Sequence, residues 1–350
     1  MRRMYGLNIE KIHLDDEREK NEVAEFLKRF ELRYDDDIDY TLVARQNGKI
    51  LATASKAKNI IKAFAVDDEL RGEGISTSLV TSITDKMFEQ GVYHSFIFTK
   101  PKNITIFSSL NYKLIYETSK SALLENGLYN INSSLDKIIK ENDIDTSKTR
   151  GALVMNCNPF TKGHQFLVEK AASECDEVLV FVVEEDKSLF PFKHRFELVK
   201  EGTKHLSNVK VVKGGEYIIS QATFPSYFLR QEDDKLRVYT EMDAGIFGKY
   251  FCPKFNIKRR YVGEEPYCAV TNAYNNTLVE ELKKFGVEVC VVKRKTYDES
   301  AISASRVREL IKEDKMEEVK ELVPETTWEF LNTETGREIA ENIKKSNSPH

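Results

Sequence analysis

Cysteine is scarce and scattered. Five thiols occur in 350 residues, odd in number and never in a close pair. That spread excludes a disulfide framework and a paired-cysteine zinc site, and it fits reduced thiols. Long apolar runs are missing as well: "EVLVFVV", Glu177–Val183, is far too short to span a bilayer. The opening "MRRMYGLNIEKIHLDDEREK" has no apolar stretch of the secretory kind. An excess of basic charge is absent too, since the net charge is -4. That balance argues against a nucleic-acid partner held by a basic face. No internal repeat or low-complexity tract is evident. These absences predict a soluble, cytoplasmic protein with no membrane and no nucleic acid among its partners.

What is present is ordinary for a globular protein, 41% hydrophobic and 31% charged. A chain of this length is long for one core, so two domains are expected. Residues 1–122 read as the first and 150–337 as the second. Between them, 123–149 read as a polar linker with a short helix around Leu135–Lys140, and 338–350 as a polar tail. The second domain alternates strands with helices. A strand over Ala152–Met155 precedes a helix from about His164 and a strand over Glu177–Val183. "RFELVKEGTKHL" then reads as a helix and "VKVVKG" as a strand. Further on, "KRRYVGEE" and "VEVCVVKR" are strands around the helix "NAYNNTLVEELKKFG". This alternation predicts an α/β fold with a doubly wound parallel sheet, whose ligand-binding loops follow the strands.

The first of those loops is "NCNPFTKGH". In the helix after it, Leu167, Val168, Ala171, Ala172 and Cys175 recur at helical spacing and face the sheet. Thr161, Lys162, Gly163 and His164 then occupy the loop and the first turn, where exposed N–H groups attract anions. Gly163 lets a phosphate come close to backbone, and His164 adds a donor that can follow charge on a phosphoryl oxygen. Taken alone, the pattern also fits an ordinary strand-to-helix loop, and Cys157 fits a small residue in a tight turn.

Thr161-Lys-Gly-His164 resembles the (His/Thr)-x-Gly-His motif of the nucleotidyltransferase superfamily. "ISASRVR", Ile302–Arg308, resembles that superfamily's Ile-Ser-x-(Ser/Thr)-x-x-Arg element, which opens a late helix. The resemblance implies a Rossmann-like sheet in which Ser303, Ser305 and Arg308 hold the β- and γ-phosphates. Arg306 is a further cation there. Four longer segments, "VMNCNPFTKGHQFLVEKA", "FPFKHRFELVKEGT", "QATFPSYFLR" and "RRYVGEEPYCAVTNAYNNTL", together resemble the citrate lyase ligase family across the C-terminal half. Cys157 departs from it, standing where Ala is expected. Membership implies activation of acetate by ATP as acetyl-adenylate. The acetyl group then passes to the thiol of the phosphopantetheine-type prosthetic group on citrate lyase's acyl-carrier subunit, and AMP and pyrophosphate leave. The implied catalytic residues are His164, Thr161, Lys162 and Arg308. Asn158, Pro159, Phe160, Gly163, Lys193, Arg195, Gly263 and Glu264 join Ser303, Ser305 and Arg306 in ATP binding. In "YVGEEP", Glu265 follows Glu264 at the sheet edge.

The implied chemistry sets its own demands. Acetate is already an anion, so its attack on the α-phosphate needs no general base. The difficulty is to bring it to a polyanion and to stabilise the charged transition state with fixed donors. Mg²⁺ is expected to be bound mainly by the triphosphate, and no protein metal site is read.

The first domain carries another signal. "DYTLVARQNGKILATASKAK" reads as two strands joined by Asn47-Gly48, a tight-hairpin turn. "NIIKAFAV" follows as a strand, "DDELRGEGISTSLVTSITDKMFEQG" as a loop and helix, and "GVYHSFIFTK" as a strand. Arg71, Gly72, Glu73, Gly74, Ile75 and Ser76 resemble the pyrophosphate-binding loop of the GNAT acetyltransferases. This implies a GNAT-like α+β domain that takes coenzyme A or acetyl-coenzyme A. Phe107 stands where that family carries its catalytic tyrosine, and a phenyl ring has no proton to give. Citrate lyase ligases carry such an N-terminal domain, so the two resemblances agree. Besides the ligase, two readings stay open. One is an adenylyltransferase acting on a phosphopantetheine or mononucleotide, whose product keeps the AMP. The other is an acetyltransferase with a nucleotide-binding regulatory module.

Overall fold

Residues 7–70, 72–184, 188–219, 224–225, 227–230, 234–264, 269–297 and 300–346 are described, from a computed structural model. Arg71, Glu265 and part of "QATFPSYFLR" lie outside them. Two compact units emerge. One is Met1–Asn130 with Pro225–Val238, the other Ile131–Phe224 with Tyr239–His350.

In the first unit the elements run β1 (Asn8–Lys11), α1 (Glu17–Lys28), β2 (Tyr40–Gln46), β3 (Lys49–Ala57), β4 (Ile60–Val66), α2 (Ile75–Glu89), β5 (His94–Thr99), α3 (Ile104–Ser109), β6 (Lys113–Glu117) and β7 (Ala122–Gly127). Asn47 and Gly48 take φ of 51° and 78°, the left-handed pair that a two-residue hairpin requires between β2 and β3. The strand order is β1-β2-β3-β4-β5-β7-β6. Only the β4–β5 pair is parallel among these neighbours, and its register covers just Ile60↔Phe96 and Ile61↔Ile97. Where the two strands part, the Tyr227 hydroxyl lies 3.2 Å from the Ile61 carbonyl and 2.6 Å from that of Phe98, as donor to both. The backbone of Tyr227 also accepts from the Arg33 N–H. Pro225–Val238 is thus built into the first unit, although it follows the start of the second in sequence.

The second unit begins with α4 (Ile131–Glu141) and β8 (Arg150–Met155), then α5 (Lys162–Glu174), β9 (Glu177–Val182), α6 (Phe192–Gly202) and β10 (Val209–Lys213). Next come α7 (Lys235–Ile246), which crosses from the first unit, a π-helical turn at Phe247–Phe251, α8 (Cys252–Lys254), β11 (Ile257–Gly263), α9 (Ala269–Lys283) and β12 (Glu288–Val292). A helical C-terminus closes it: α10 (Ala304–Lys312), α11 (Met316–Leu322), α12 (Glu325–Leu331) and α13 (Glu334–Lys345). The sheet is parallel in the order β10-β9-β8-β11-β12, so the doubly wound expectation holds. β9 is buried along its whole length, which is why its run is apolar without alternation. Arg150 opens β8 fully buried. It donates to Glu177 at 2.5 Å and to the Phe255 carbonyl at 3.1 Å, pinning the strand's start.

Two boundaries differ from expectation. Residues from 123 onward, read as linker, first complete the seven-stranded sheet as β7, and α4 then buries Ile131 and Leu135 one turn apart. Of the stretch read as a polar tail, residues 338–345 belong instead to α13, and 347–350 lie outside the described residues. In that helix Ile339 and Ile343 pack with Leu310, Val319 and Leu331, because a polar composition hides an apolar stripe at helical spacing. Among the described residues no helix is long and apolar enough to cross a membrane.

Candidate active site

Strand order locates the site. From β8 the chain steps outward through β9 and β10, then returns to place β11 and β12 on the other side of β8. The reversal leaves a crevice at the carboxyl ends of β8 and β11, where open α/β sheets bind ligands. A cleft of about 540 Å³ lies there. Met155 and Asn156 from β8 and its loop line it, with Arg260 to Gly263 from β11, Gly163 and His164 from α5, and Ser303 and Ser305 from α10.

The first turn of α5 is held by its own residues. Thr161 is the N-cap, buried and extended, and its hydroxyl accepts from the His164 N–H. In return the His164 Nδ1 accepts from the Thr161 N–H at 3.1 Å and lies 2.9 Å from the Thr161 hydroxyl. This reciprocal cap fixes both the ring and its tautomer. With Nδ1 an acceptor, the neutral imidazole carries its proton on Nε2. Burial first, and the Arg294 guanidinium second, push the His164 pKa from 6.5 down to about 4. The ring is therefore uncharged at neutral pH, a hydrogen-bond donor and not a cation. Phe160, fully buried, stacks beside it at 6.0 Å between centroids.

Gly163 sits where the α5 turn meets the segment leading into α10. A Cβ there would come within 2.7 Å of the Ile302 carbonyl oxygen. The two helix starts approach this closely only because position 163 lacks a side chain. Ser303 caps α10, its hydroxyl accepting from the Arg306 N–H at 3.1 Å. Two helix N-termini thus open beside one cleft, each presenting backbone donors and the positive end of a dipole.

Of the residues expected at the site, Gly163, His164, Gly263, Ser303 and Ser305 line the cleft. The others do not. Asn158 is buried and accepts from the Phe190 N–H through its side chain. Pro159 follows it through a cis peptide bond. Arg308 donates to the Asn158 carbonyl at 2.6 Å, tying α10 to the loop before α5. Lys162 reaches the Glu321 carbonyl at the end of α11 instead of the cleft. Arg195, expected to face the phosphates, is fully buried and donates to the carbonyls of Phe190, Asn156 and Val183. It braces the loop after β8. Lys193 is exposed, and Arg306 pairs with Glu309 and Glu318 on the surface. Glu264 contributes backbone: its N–H donates to Val292 and its carbonyl accepts from Arg294. Cys157 is buried with φ of 54°, and burial pushes its thiol pKa up, so it is no nucleophile.

Several lining residues went unread in the sequence. Lys293, Arg294 and Lys295 follow β12 directly and bring three cations to the cleft. Three cations at the carboxyl end of a parallel strand were the available signal. Asn275 of α9, which donates to the Gly263 carbonyl at 3.0 Å, and Arg260 of β11 carried none.

In the first unit, Gly72 and Gly74 take φ of 81° and 78°, and an added Cβ at either would meet open space. Gly74 is the N-cap of α2, where no side chain caps the first-turn N–H groups among the described residues. Glu73 is exposed in the same loop and Ile75 is buried. Ser76 is half-buried in the first turn. Phe107 is buried and packs edge-on to Phe64, at 5.2 Å.

Two family models match the chain. The family model "Citrate lyase ligase C-terminal domain" matches residues 150–331, and "Acetyltransferase (GNAT) family" matches residues 7–105. A citrate (pro-3S)-lyase ligase of Escherichia coli (strain K12) is 32% identical over 335 residues, covering 94% of this chain and 95% of the relative. One from Haemophilus influenzae is 35% identical over 316 residues, covering 88% and 94%. Among solved structures, the GNAT domain of S. lividans PAT covers 35% of this chain and 90% of its own, at 19% identity and a TM-score of 0.29. With relatives matched over 88% to 94% of this chain and the C-terminal family model matched over residues 150–331, the chain belongs to the citrate lyase ligase family.

Proposed function

We propose that the chain activates acetate with ATP and acetylates the thiol prosthetic group on the acyl-carrier subunit of citrate lyase. The observation that carries this reading is the meeting of two helix N-termini and the neutral His164 at one cleft. An acetate oxygen attacks the α-phosphorus, and the bond from that phosphorus to the β-bridging oxygen breaks. Pyrophosphate leaves, and Mg²⁺ carried on the triphosphate would offset its charge. His164 Nε2–H donates to the α-phosphoryl oxygen as its charge grows, while the first turns of α5 and α10 and the cations 293–295 hold the chain of phosphates. The carrier thiolate then attacks the acetyl carbonyl, a thioester forms, and AMP departs as the leaving group. A supply of ATP and of the carrier places this reaction in the cytoplasm.

Exchange of labelled pyrophosphate into ATP tests the first half. It should require acetate and Mg²⁺ and proceed without any carrier protein. Transfer of AMP to a phosphopantetheine with no acetate dependence would instead favour an adenylyltransferase.

For the first unit, the open loop at Gly72–Gly74 supports binding of the coenzyme A pyrophosphate by backbone N–H groups. Phe107 offers no proton, so acetyl transfer there is slow. Titration calorimetry should detect acetyl-coenzyme A binding to the protein and none to Gly74→Glu, which sets a carboxylate in the anion site. Equal binding to both would reject the assignment, and rapid acetylation of an amine would reject the reading of Phe107.

A further inference from the structure

Arg260, one of the residues that line the cleft, is a buried cation. Its side chain is only 2% exposed, and the guanidinium lies over the Phe247 ring, 4.4 Å from the centroid. Nη2 is turned to Asp243, 3.7 Å from Oδ2, too long for a strong hydrogen bond. Nε and Nη1 are buried and have no hydrogen-bond partner among the described residues. Native proteins rarely leave two such donors unanswered unless a ligand or water completes them. Asp243 answers the charge incompletely. Burial pushes its carboxyl pKa up to about 6, so at neutral pH it is a reluctant anion held at arm's length. An anion that reaches this guanidinium from the cleft meets a desolvated cation with two donors unanswered among the described residues.

The chemistry of that anion follows from what surrounds it. In the reading above, the phosphates take the two helix starts and residues 293–295 as their partners. Asp243 beside Arg260 disfavours a multiply charged group, whereas a single carboxylate is tolerated. Tyr274, which lines the cleft and stacks on Tyr239, offers an aromatic surface to a short alkyl group. We infer that Arg260 binds the carboxylate of a short monocarboxylic acid, acetate, and holds it in the cleft shared with His164. The inference rests on the ligase reading for the identity of the acid. It explains how one anion is brought to another: the guanidinium offsets the acetate charge while leaving an oxygen to react.

The test separates the two anions kinetically. Arg260→Met keeps an unbranched side chain over Phe247 but removes every donor, and Arg260→Lys keeps the charge. In pyrophosphate exchange, Arg260→Met should raise the KM for acetate by about 30-fold or more, with Arg260→Lys between it and the wild type. The KM for ATP should stay within about threefold of wild type in both. A rise in the KM for ATP with that for acetate unchanged, or equal rises in both, would overturn the inference. Should the variants fail to fold by circular dichroism, the wild-type protein decides. Magnetisation transfer from the acetate methyl to the Tyr274 ring protons supports the site, and its absence at saturating acetate rejects it. If the wild type shows no acetate-dependent exchange at all, the ligase reading falls, and the same transfer experiment still judges the carboxylate site by itself.

Discussion

Replacing His164 with alanine should lower kcat for acetate-dependent exchange by about 10²–10³-fold, the usual loss when one donor aimed at a transition-state oxyanion is removed. ATP affinity, measured by calorimetry, should change far less, because the helix starts and the cations after β12 remain. The same residue predicts the shape of the pH profile. Its folded-state pKa is about 4 against an ordinary 6.5, so the free enzyme holds it neutral across that interval. A plot of kcat/KM should therefore show no inflection near pH 6.5 from this ring. Stability has the matching sign. As pH falls from 6.5 toward 4 the unfolded chain takes up a proton that the folded chain refuses, so stability drops over that window and is unaffected above it. Near-normal turnover in His164→Ala, or a His164 resonance titrating near 6.5, would reject the role given to the ring.

Gly163→Ala should be nearly as damaging although it adds one methyl group. The new Cβ would lie 2.7 Å from the Ile302 carbonyl oxygen, a backbone atom with no rotamer to escape into. Helix α5 and the start of α10 must move apart, and with them His164 and Ser303. A displacement of about 1 Å at reacting groups costs on the order of 10²-fold in rate. The fold should survive, since Gly163 has no positive φ and the α5 core residues Val168 and Ala171 are untouched. Wild-type kcat in this variant, with its circular dichroism unchanged, would show that the two helix starts need not meet.

The alternation of strand and helix in the second unit was legible because β8 and β9 are nearly continuous apolar runs and α5 carries its buried residues at helical spacing. The turn at Thr161–His164 was legible too, since its motif encodes the cap. Cations were read poorly. Arg195 opens a helix after an aromatic turn, the pattern of an anion-binding side chain, yet three main-chain carbonyls claim it. Arg260 stands in "KRRY" beside Arg259, and the pleat sets the two on opposite faces, burying Arg260 and leaving Arg259 partly exposed. Its partner Asp243 lies on α7, and no local pattern links them. The placement of Tyr227 was equally hidden, because its partners are main-chain carbonyls, which leave no mark on the side-chain sequence.

That tyrosine has a consequence for the gene. The polypeptide leaves the first unit at Asn130, comes back at Pro225 and departs again after Val238. A single cut in the reading frame cannot yield two self-sufficient products. A shortened gene starting after codon 130 would encode Tyr227 without Ile61 and Phe98, leaving a ring and hydroxyl that evolved for shelter to face water. A gene ending at codon 130 would encode a sheet whose β4 and β5 part around nothing. Any recombination that separates the coding sequence of the two units must therefore carry codons 225–238 along with the first.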